Sequence, residues 1–117
     1  MITIDSLKAY GANVDEGLGR CMGNEALYLK LVATIPSEER FALLKEQIEA
    51  DNLDGAFESA HALKGVTGNL SLTPLYDPLV EITEHLRLRE AIDYSELLTA
   101  ILDQKIKLEE LINSSKV

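Results

Sequence analysis

The sequence predicts an all-α protein, an up-down four-helix bundle with additional short N-terminal helices. The 117 residues are 46% hydrophobic and contain no Trp, and Leu, Ala, Glu and Lys lose little rotamer freedom in a helix. Apolar residues recur at helical spacing, as Phe41, Leu44 and Ile48 do. Gly, Asn and Pro divide the chain into helical segments joined by short turns. This length fits one bundle, so we expect a single domain over residues 1–117.

The positions of helix-breaking and helix-capping residues predict seven helical segments. The predicted segments run from Ile4 to Tyr10, Val14 to Cys21, Glu25 to about Ile35, Ser37 to about Ala50, Leu53 to about Leu70, Thr73 to about Arg89 and Asp93 to about Ile112. The last four are long enough to form the bundle. Asn24, Ser37 and either Asp51 or Asn52 are the predicted N-caps. Pro78 predicts a kink or a later start for the sixth segment.

The net charge of −9 and the single cysteine exclude several classes of function. The 20 acidic and 11 basic residues give a field that repels a phosphate backbone, so no nucleic-acid partner is expected. Cys21 alone can form neither an intramolecular disulfide nor a thiolate metal cluster. Neither a signal-peptide pattern nor an apolar run of membrane-spanning length occurs, so a cytoplasmic protein without a membrane partner is expected.

The segment that contains His61 has two distinct faces. Because successive helical residues turn by about 100°, an apolar stripe is predicted on one side. This stripe consists of Leu53, Ala56, Ala60, Leu63, Thr67 and Leu70. A second stripe, roughly 140° away, holds the polar and small residues. Its members are Asp54, Glu58, His61, Gly65 and Gly68. The pattern therefore predicts that His61 points to solvent, away from the core.

Two glycines follow His61 on its own face. Gly65 and Gly68 each cost about 1 kcal/mol relative to Ala inside a helix. Glycines at a solvent-facing position make sense if a bulky group must approach the backbone there. Lys64 can reach over the same spot, and an imidazole, a cation and a cleared surface suit a phosphoryl group. Lys64 also fits an ordinary solvated charge, or an ion pair with Glu58 or Glu84.

The run His61-Ala62-Leu63-Lys64-Gly65, followed by Gly68-Asn69-Leu70, resembles the His-x-Leu-Lys-Gly signature of histidine-containing phosphotransfer (HPt) domains. The upstream runs Gly17–Arg20 and Gly23–Tyr28 are also similar to the N-terminal part of many such domains. The resemblance extends from about residue 4 to 112. It implies that His61 is the phosphoacceptor, that Lys64 contacts the phosphoryl oxygens, and that Gly65 and Gly68 provide steric clearance.

The sequence departs from the HPt pattern at two positions. Ser71 stands where a glycine is common. Thr83 stands where several members have a glutamine that hydrogen-bonds the active imidazole. With Thr83 there, Glu84 or a water is expected to help orient the ring of His61.

The resemblance implies a phosphorelay intermediate that takes a phosphoryl group from a receiver-domain phosphoaspartate, or from a sensor or hybrid histidine kinase, and passes it to another receiver aspartate. The chain has no Walker-type loop and is expected to be a carrier and not an enzyme. No cofactor is expected on the chain itself, since Mg²⁺ would be held by the receiver, and a monomer is expected. Helical position suggests Phe57, Glu58, Ala62 and Leu72 as docking residues.

Three alternatives stay open at this stage. The chain could be a helical adaptor whose His61 never carries phosphate and that binds receiver-like or other partners. His61 and His85, with Glu81, could form a metal site, although their spacing does not place a ligand set on one face. Glu81 and Glu84 could be a catalytic carboxylate pair, but acidic residues one turn apart usually form a solvated helix face.

Overall fold

The computed structural model describes residues 2–114, which contain seven α-helices, one 3-10 turn and no strand. The elements are α1 (Ile4–Tyr10), α2 (Val14–Arg20), α3 (Glu25–Ala33), the 3-10 turn (Ile35–Ser37), α4 (Arg40–Glu49), α5 (Leu53–Asn69), α6 (Thr73–Arg87) and α7 (Ser95–Asn113). Met1 and residues 115–117, which the predicted domain includes, lie outside the described residues. The predicted all-α fold is confirmed.

The bundle is formed by α4, α5, α6 and α7, which pack in chain order. Helix α5 lies between α4 and α6, and α7 packs against α6 and the 3-10 turn. The largest fully buried side chains come from all four bundle helices, from the turn between α5 and α6, and from α1 and α3. They are Tyr28, Phe41, Leu7, Leu44, Leu63, Leu72, Leu75, Leu79, Ile82, Leu86, Ile101 and Leu108. Burial of these side chains is the main stabilising contribution to the bundle, and the predicted architecture is confirmed.

The structure corrects one predicted helix start, confirms another and identifies which residue caps α5. Ser37 does not cap α4, because Ser37 lies in the 3-10 turn and α4 begins at Arg40. Asn52 caps α5, since its side-chain oxygen accepts the N–H of Gly55 at 3.1 Å. Pro78 does not delay α6, which is helical from Thr73.

The short N-terminal helices are attached to the C-terminal end of α5. The buried hydroxyl of Tyr28, on α3, donates to the carbonyl of Leu70 at 2.8 Å. The N–H of Asn13, just before α2, donates to the carbonyl of Ser71 at 2.9 Å. These bonds satisfy carbonyl groups that a helix end otherwise leaves free. The three short helices thus fix the segment that follows the His61 helix.

The ring of Tyr28 requires a glycine at position 17. A Cβ atom at Gly17 would lie 2.5 Å from Cε1 and 2.7 Å from the hydroxyl oxygen of Tyr28. Because this ring is buried and its hydroxyl is bonded to Leu70, it cannot move aside without losing that bond. Gly19, on the same helix, has no atom within 4 Å of such a Cβ.

We predict that Gly17→Ala lowers the free energy of unfolding by about 1–3 kcal/mol, the usual cost of overpacking a core. Gly19→Ala is the matched control, and it is expected to raise stability by up to about 1 kcal/mol because alanine favours the helix. Urea unfolding followed by circular dichroism measures both. Equal effects of the two substitutions would contradict the packing of Tyr28 on α2.

Candidate functional site

Helix α5 presents His61 to solvent because its other side is buried in the bundle. Ala56, Ala60, Leu63 and Thr67 are all 0% exposed, whereas His61 is exposed. The hydroxyl of Thr67 donates to the carbonyl of Leu63 at 2.9 Å, which satisfies its polar group inside the core. The predicted outward orientation of His61 is confirmed.

The imidazole of His61 lies against the ring of Phe57, one helical turn earlier. The two ring centroids are 5.7 Å apart and the planes differ by 18°, so the rings are stacked. The guanidinium carbons of Arg87 and Arg89 each lie 5.1 Å from the centroid of the Phe57 ring. Among residues 2–114, no side chain or backbone group hydrogen-bonds either nitrogen of His61.

Lys64 is a half-buried cation three residues beyond His61. The alternative of an ion pair with Glu58 or Glu84 is wrong for the described part of the chain, where Lys64 has no carboxylate within 4.0 Å. Glu84 instead accepts from Nε of Arg87 at 3.3 Å. The ammonium group of Lys64 therefore has its charge available to an incoming anion.

The two glycines on the His61 face play different roles. Gly65 is exposed, and a Cβ atom there would meet nothing within 4 Å. At Gly68, by contrast, a Cβ atom would lie 2.8 Å from Cε1 of Tyr76 on α6. The space at Gly68 is therefore occupied by Tyr76, and the expectation that Gly68 clears room for a partner is wrong. Clearance at Gly65 stays a prediction.

A groove of about 310 Å³ opens beside Lys64 and Gly65. Arg20 extends from α2 into this groove and donates to the carbonyl of Gly68. The hydroxyl of Ser71 donates to Glu16 at 2.7 Å, and Glu16 lies 3.6 Å from Arg20. These side chains cap the C-terminal end of α5, where its free carbonyls attract a cation.

Sequence reasoning missed this Arg20–Glu16–Ser71 cluster. The only sequence signal was the four-residue spacing of Glu16 and Arg20, which is common on helix surfaces. Ser71 has a φ of 55°, which explains why glycine suits this position. Its hydroxyl compensates by joining the cluster, so the departure from the HPt pattern has a structural role.

Of the four predicted docking residues, the structure leaves three accessible. Glu58 is exposed, and Phe57 and Ala62 are half-buried. Leu72 is 0% exposed, so its predicted docking role is wrong. It lies in the turn between α5 and α6, where its backbone forms the N-cap of α6 and its side chain enters the core.

Neither residue expected to orient the imidazole does so. Thr83 is fully buried, and its hydroxyl donates to the carbonyl of Leu79 at 2.6 Å within α6. Glu84 is bonded to Arg87. Both expectations are corrected, because the two side chains bond to partners on their own helix, α6.

The metal and carboxylate alternatives gain no support from the geometry. Within residues 2–114, no three His, Cys, Asp or Glu side chains are grouped so that they could hold a metal ion. Nδ1 of His85 lies 3.0 Å from Oε1 of Glu90, so the imidazole of His85 is paired with Glu90 and not with Glu81. Glu81 and Glu84 are both exposed on α6.

The Hpt domain family model matches residues 36–114. The match covers well over half of the chain, which therefore belongs to the Hpt domain family. It begins at Pro36, so the resemblance expected from about residue 4 is shown only from the 3-10 turn onward. Comparisons with curated proteins and with solved structures gave no match.

Membership of this family defines the class of function. Hpt domains are phosphotransfer carriers in phosphorelay signalling and are not kinases. The family implies interaction with receiver domains and histidine kinases. Within residues 2–114, every helix is either too short or too polar to span a lipid bilayer.

We predict opposite stability effects for alanine at the two site glycines. Gly65→Ala is expected to raise the free energy of unfolding by about 0.5–1 kcal/mol, because the methyl group fits in open space and alanine favours the helix. Gly68→Ala is expected to give no gain or a loss, since the ring of Tyr76 must move by a few tenths of an ångström or more. Urea unfolding measures both, and a gain at Gly68 equal to that at Gly65 would refute the assigned contact with Tyr76.

Proposed function

We propose that His61 is the phosphoacceptor of this Hpt domain. It takes a phosphoryl group from a receiver-domain phosphoaspartate, or from a sensor or hybrid histidine kinase, and passes it to another receiver aspartate. One observation carries the proposal: His61 stands exposed on α5, within the segment that the family model matches, and no hydrogen bond from residues 2–114 occupies its ring nitrogens. A nucleophile needs such an accessible lone pair.

The transfer step requires no covalent chemistry beyond the imidazole itself. A neutral ring nitrogen of His61 attacks the phosphorus of the aspartyl phosphate, and a P–N bond forms as the bond from phosphorus to the carboxylate oxygen breaks. The aspartate leaves as a carboxylate with the bonding electron pair, and the other ring nitrogen keeps its proton. The reverse sequence returns the group to a second receiver aspartate. Such a reaction depends mainly on positioning and charge neutralisation.

Lys64 and Gly65 are proposed to serve the phosphoryl group on this chain. Lys64 has no carboxylate partner among the described residues, so its ammonium group can stabilise the transferring oxygens. Gly65 leaves an open surface one turn beyond His61, which allows the phosphoryl group and the receiver backbone to approach. The receiver is expected to supply Mg²⁺.

The proposed docking surface for receivers surrounds His61 on α5 and extends onto α4. Phe57, Glu58 and Ala62 contribute to it from the sequence prediction. The structure adds Leu43 on α4 and Val66 on α5, which are 40% and 36% exposed. Leu43 and Ala62 line the same groove between the two helices. An apolar surface rimmed by charge is typical of specific protein interfaces.

Helices α1–α3, which precede the family match, are proposed to belong to the same domain. Tyr28 and Asn13 are bonded to the turn that follows α5, and Arg20 caps α5. The N-terminal segment therefore supports the helix that carries His61. We propose one domain over residues 1–117.

The two histidines allow a matched test of the phosphoacceptor. Wild-type protein incubated with a phosphorylated receiver is expected to gain an acid-labile phosphate, and His61→Gln is expected to abolish the labelling. His85→Gln is the control and is expected to label normally, because His85 is paired with Glu90. Binding of the receiver without any transfer to wild type would instead support the phosphate-independent adaptor.

Lys64 and Ala62 allow charge stabilisation to be separated from docking. Lys64→Gln is expected to lower the maximal transfer rate by about tenfold or more, the rate equivalent of losing a hydrogen bond to a charged group of ~1.5–3 kcal/mol. Ala62→Glu is expected to raise the receiver concentration at half-maximal rate, with little change in the maximum, because it alters only the docking surface. Rapid-quench transfer kinetics measure both parameters. If Lys64→Gln changed only the concentration dependence, Lys64 would be a docking residue and not a phosphoryl ligand.

A further inference from the structure

Within the described residues 2–114, the aromatic ring of Phe57 is the group that stacks on the imidazole of His61. Thr83, one of the two residues expected to orient the ring, has its hydroxyl bonded to Leu79 inside the bundle. Glu84, the other expected partner, is bonded to Arg87. Among residues 2–114, the orientation of the imidazole therefore depends on the stack and not on a hydrogen bond.

The ring of Phe57 is itself held in place. Phe57 is half-buried, and two guanidinium groups lie 5.1 Å from its centroid, within cation–π range. Arg89 is fixed by bonds of 2.6 Å to Asp54 and 2.6 Å to the carbonyl of Leu86. Arg87 is fixed by Glu84. The two arginines at the end of α6 thus restrain the Phe57 ring, which lies on α5.

A stack differs chemically from a hydrogen bond as a means of orienting an imidazole. A hydrogen bond uses one ring nitrogen and selects one tautomer. Stacking restricts the plane of the ring while both nitrogens stay free for attack and for proton retention. In-line attack on phosphorus needs a defined direction of the nitrogen lone pair, so restricting the ring plane favours the reactive geometry.

We propose that Phe57 is a positioning residue that holds the imidazole of His61 in the plane required for phosphoryl transfer. The proposal rests on the proposed role of His61 as phosphoacceptor. The four-residue spacing of Phe57 and His61 brings the side chains together on one helical face, and Arg87 and Arg89 restrain the phenyl ring. Phe57 acts through His61 and does not itself touch the phosphoryl group.

The test uses the full chain with His85→Gln, so that His61 is the only histidine. In this background, Phe57→Leu removes the aromatic ring but keeps a bulky apolar side chain, and Phe57→Tyr keeps the ring. Tyr10→Leu is the control, an aromatic-to-leucine change at a half-buried ring whose hydroxyl is bonded to Gln104 on α7. Circular dichroism confirms that each variant is folded.

The first measurement is the NMR shift of the carbon-bound imidazole protons of His61. Stacking on Phe57 gives these protons an upfield ring-current shift, which is expected to disappear in Phe57→Leu. It is expected to persist in Phe57→Tyr and in Tyr10→Leu. This pattern would establish the stack in solution, and the rate of phosphorylation then tests whether the stack positions the imidazole.

The second measurement is the rate at which phosphoramidate, a small chemical donor, phosphorylates His61 without a receiver. Phe57→Leu is expected to lower this rate by about two- to tenfold, the rate equivalent of a stacking free energy of ~0.5–1.5 kcal/mol. Phe57→Tyr is expected to restore it. Because no partner docks in this assay, a loss of rate cannot be a loss of docking.

The outcomes separate this inference from the proposed function. An unchanged rate in Phe57→Leu would overturn the positioning role, whether or not the proton shifts change, and unchanged proton shifts would overturn the stack on which that role depends. An equal loss of rate in Phe57→Tyr would also overturn it, because the tyrosine keeps the aromatic ring. If a phosphorylated receiver failed to label wild type while phosphoramidate labelled it at the expected rates, the proposed function would fail and the positioning role would stand.

Discussion

The site depends on the burial of one stripe of α5. Ala56, Ala60, Leu63 and Thr67 are removed from water between α4 and α6, and this burial fixes the rotation of the helix about its own axis. Since side chains follow one another at about 100°, a helix anchored in this way must direct His61 outward. Small residues at positions 56 and 60 let neighbouring helices approach closely, so the orientation is held by packing and not by a contact at His61 itself.

Glycine serves two different purposes in this chain, close packing against an aromatic ring at some positions and an open surface at others. Gly17 admits the ring of Tyr28, and Gly68 admits the ring of Tyr76. Of the two glycines on the His61 face, Gly65 is the one whose missing side chain leaves space that the described part of the protein does not fill. An exposed glycine inside a helix weakens the helix without improving its packing, so Gly65 has the stronger claim to a role in binding.

The surroundings of His61 suit a carrier that works with a partner. Lys64 and the guanidinium groups of Arg87 and Arg89 place positive charge near an imidazole in a chain of net charge −9. The arginines are neutralised by Glu84 and Asp54, whereas Lys64 has no such partner among residues 2–114. In the proposed transfer, a phosphoryl group would therefore meet one cation that has no carboxylate partner among residues 2–114, and the receiver would supply further neutralisation. The proposed transfer in both directions needs such a balance, because a site that bound phosphate too tightly would not release it.

The sequence by itself determined the helical segments, the buried stripe of α5 and the outward direction of His61. These features follow from periodicity and capping, which are local properties of a chain. Tertiary structure decided which side chains meet across helices. Leu72 enters the core, Tyr76 fills the space at Gly68, and Thr83 is fully buried, because α6 packs on α5 at one particular rotation and register. That relation between two helices is set by the fit of many side chains at once, and no short motif encodes it.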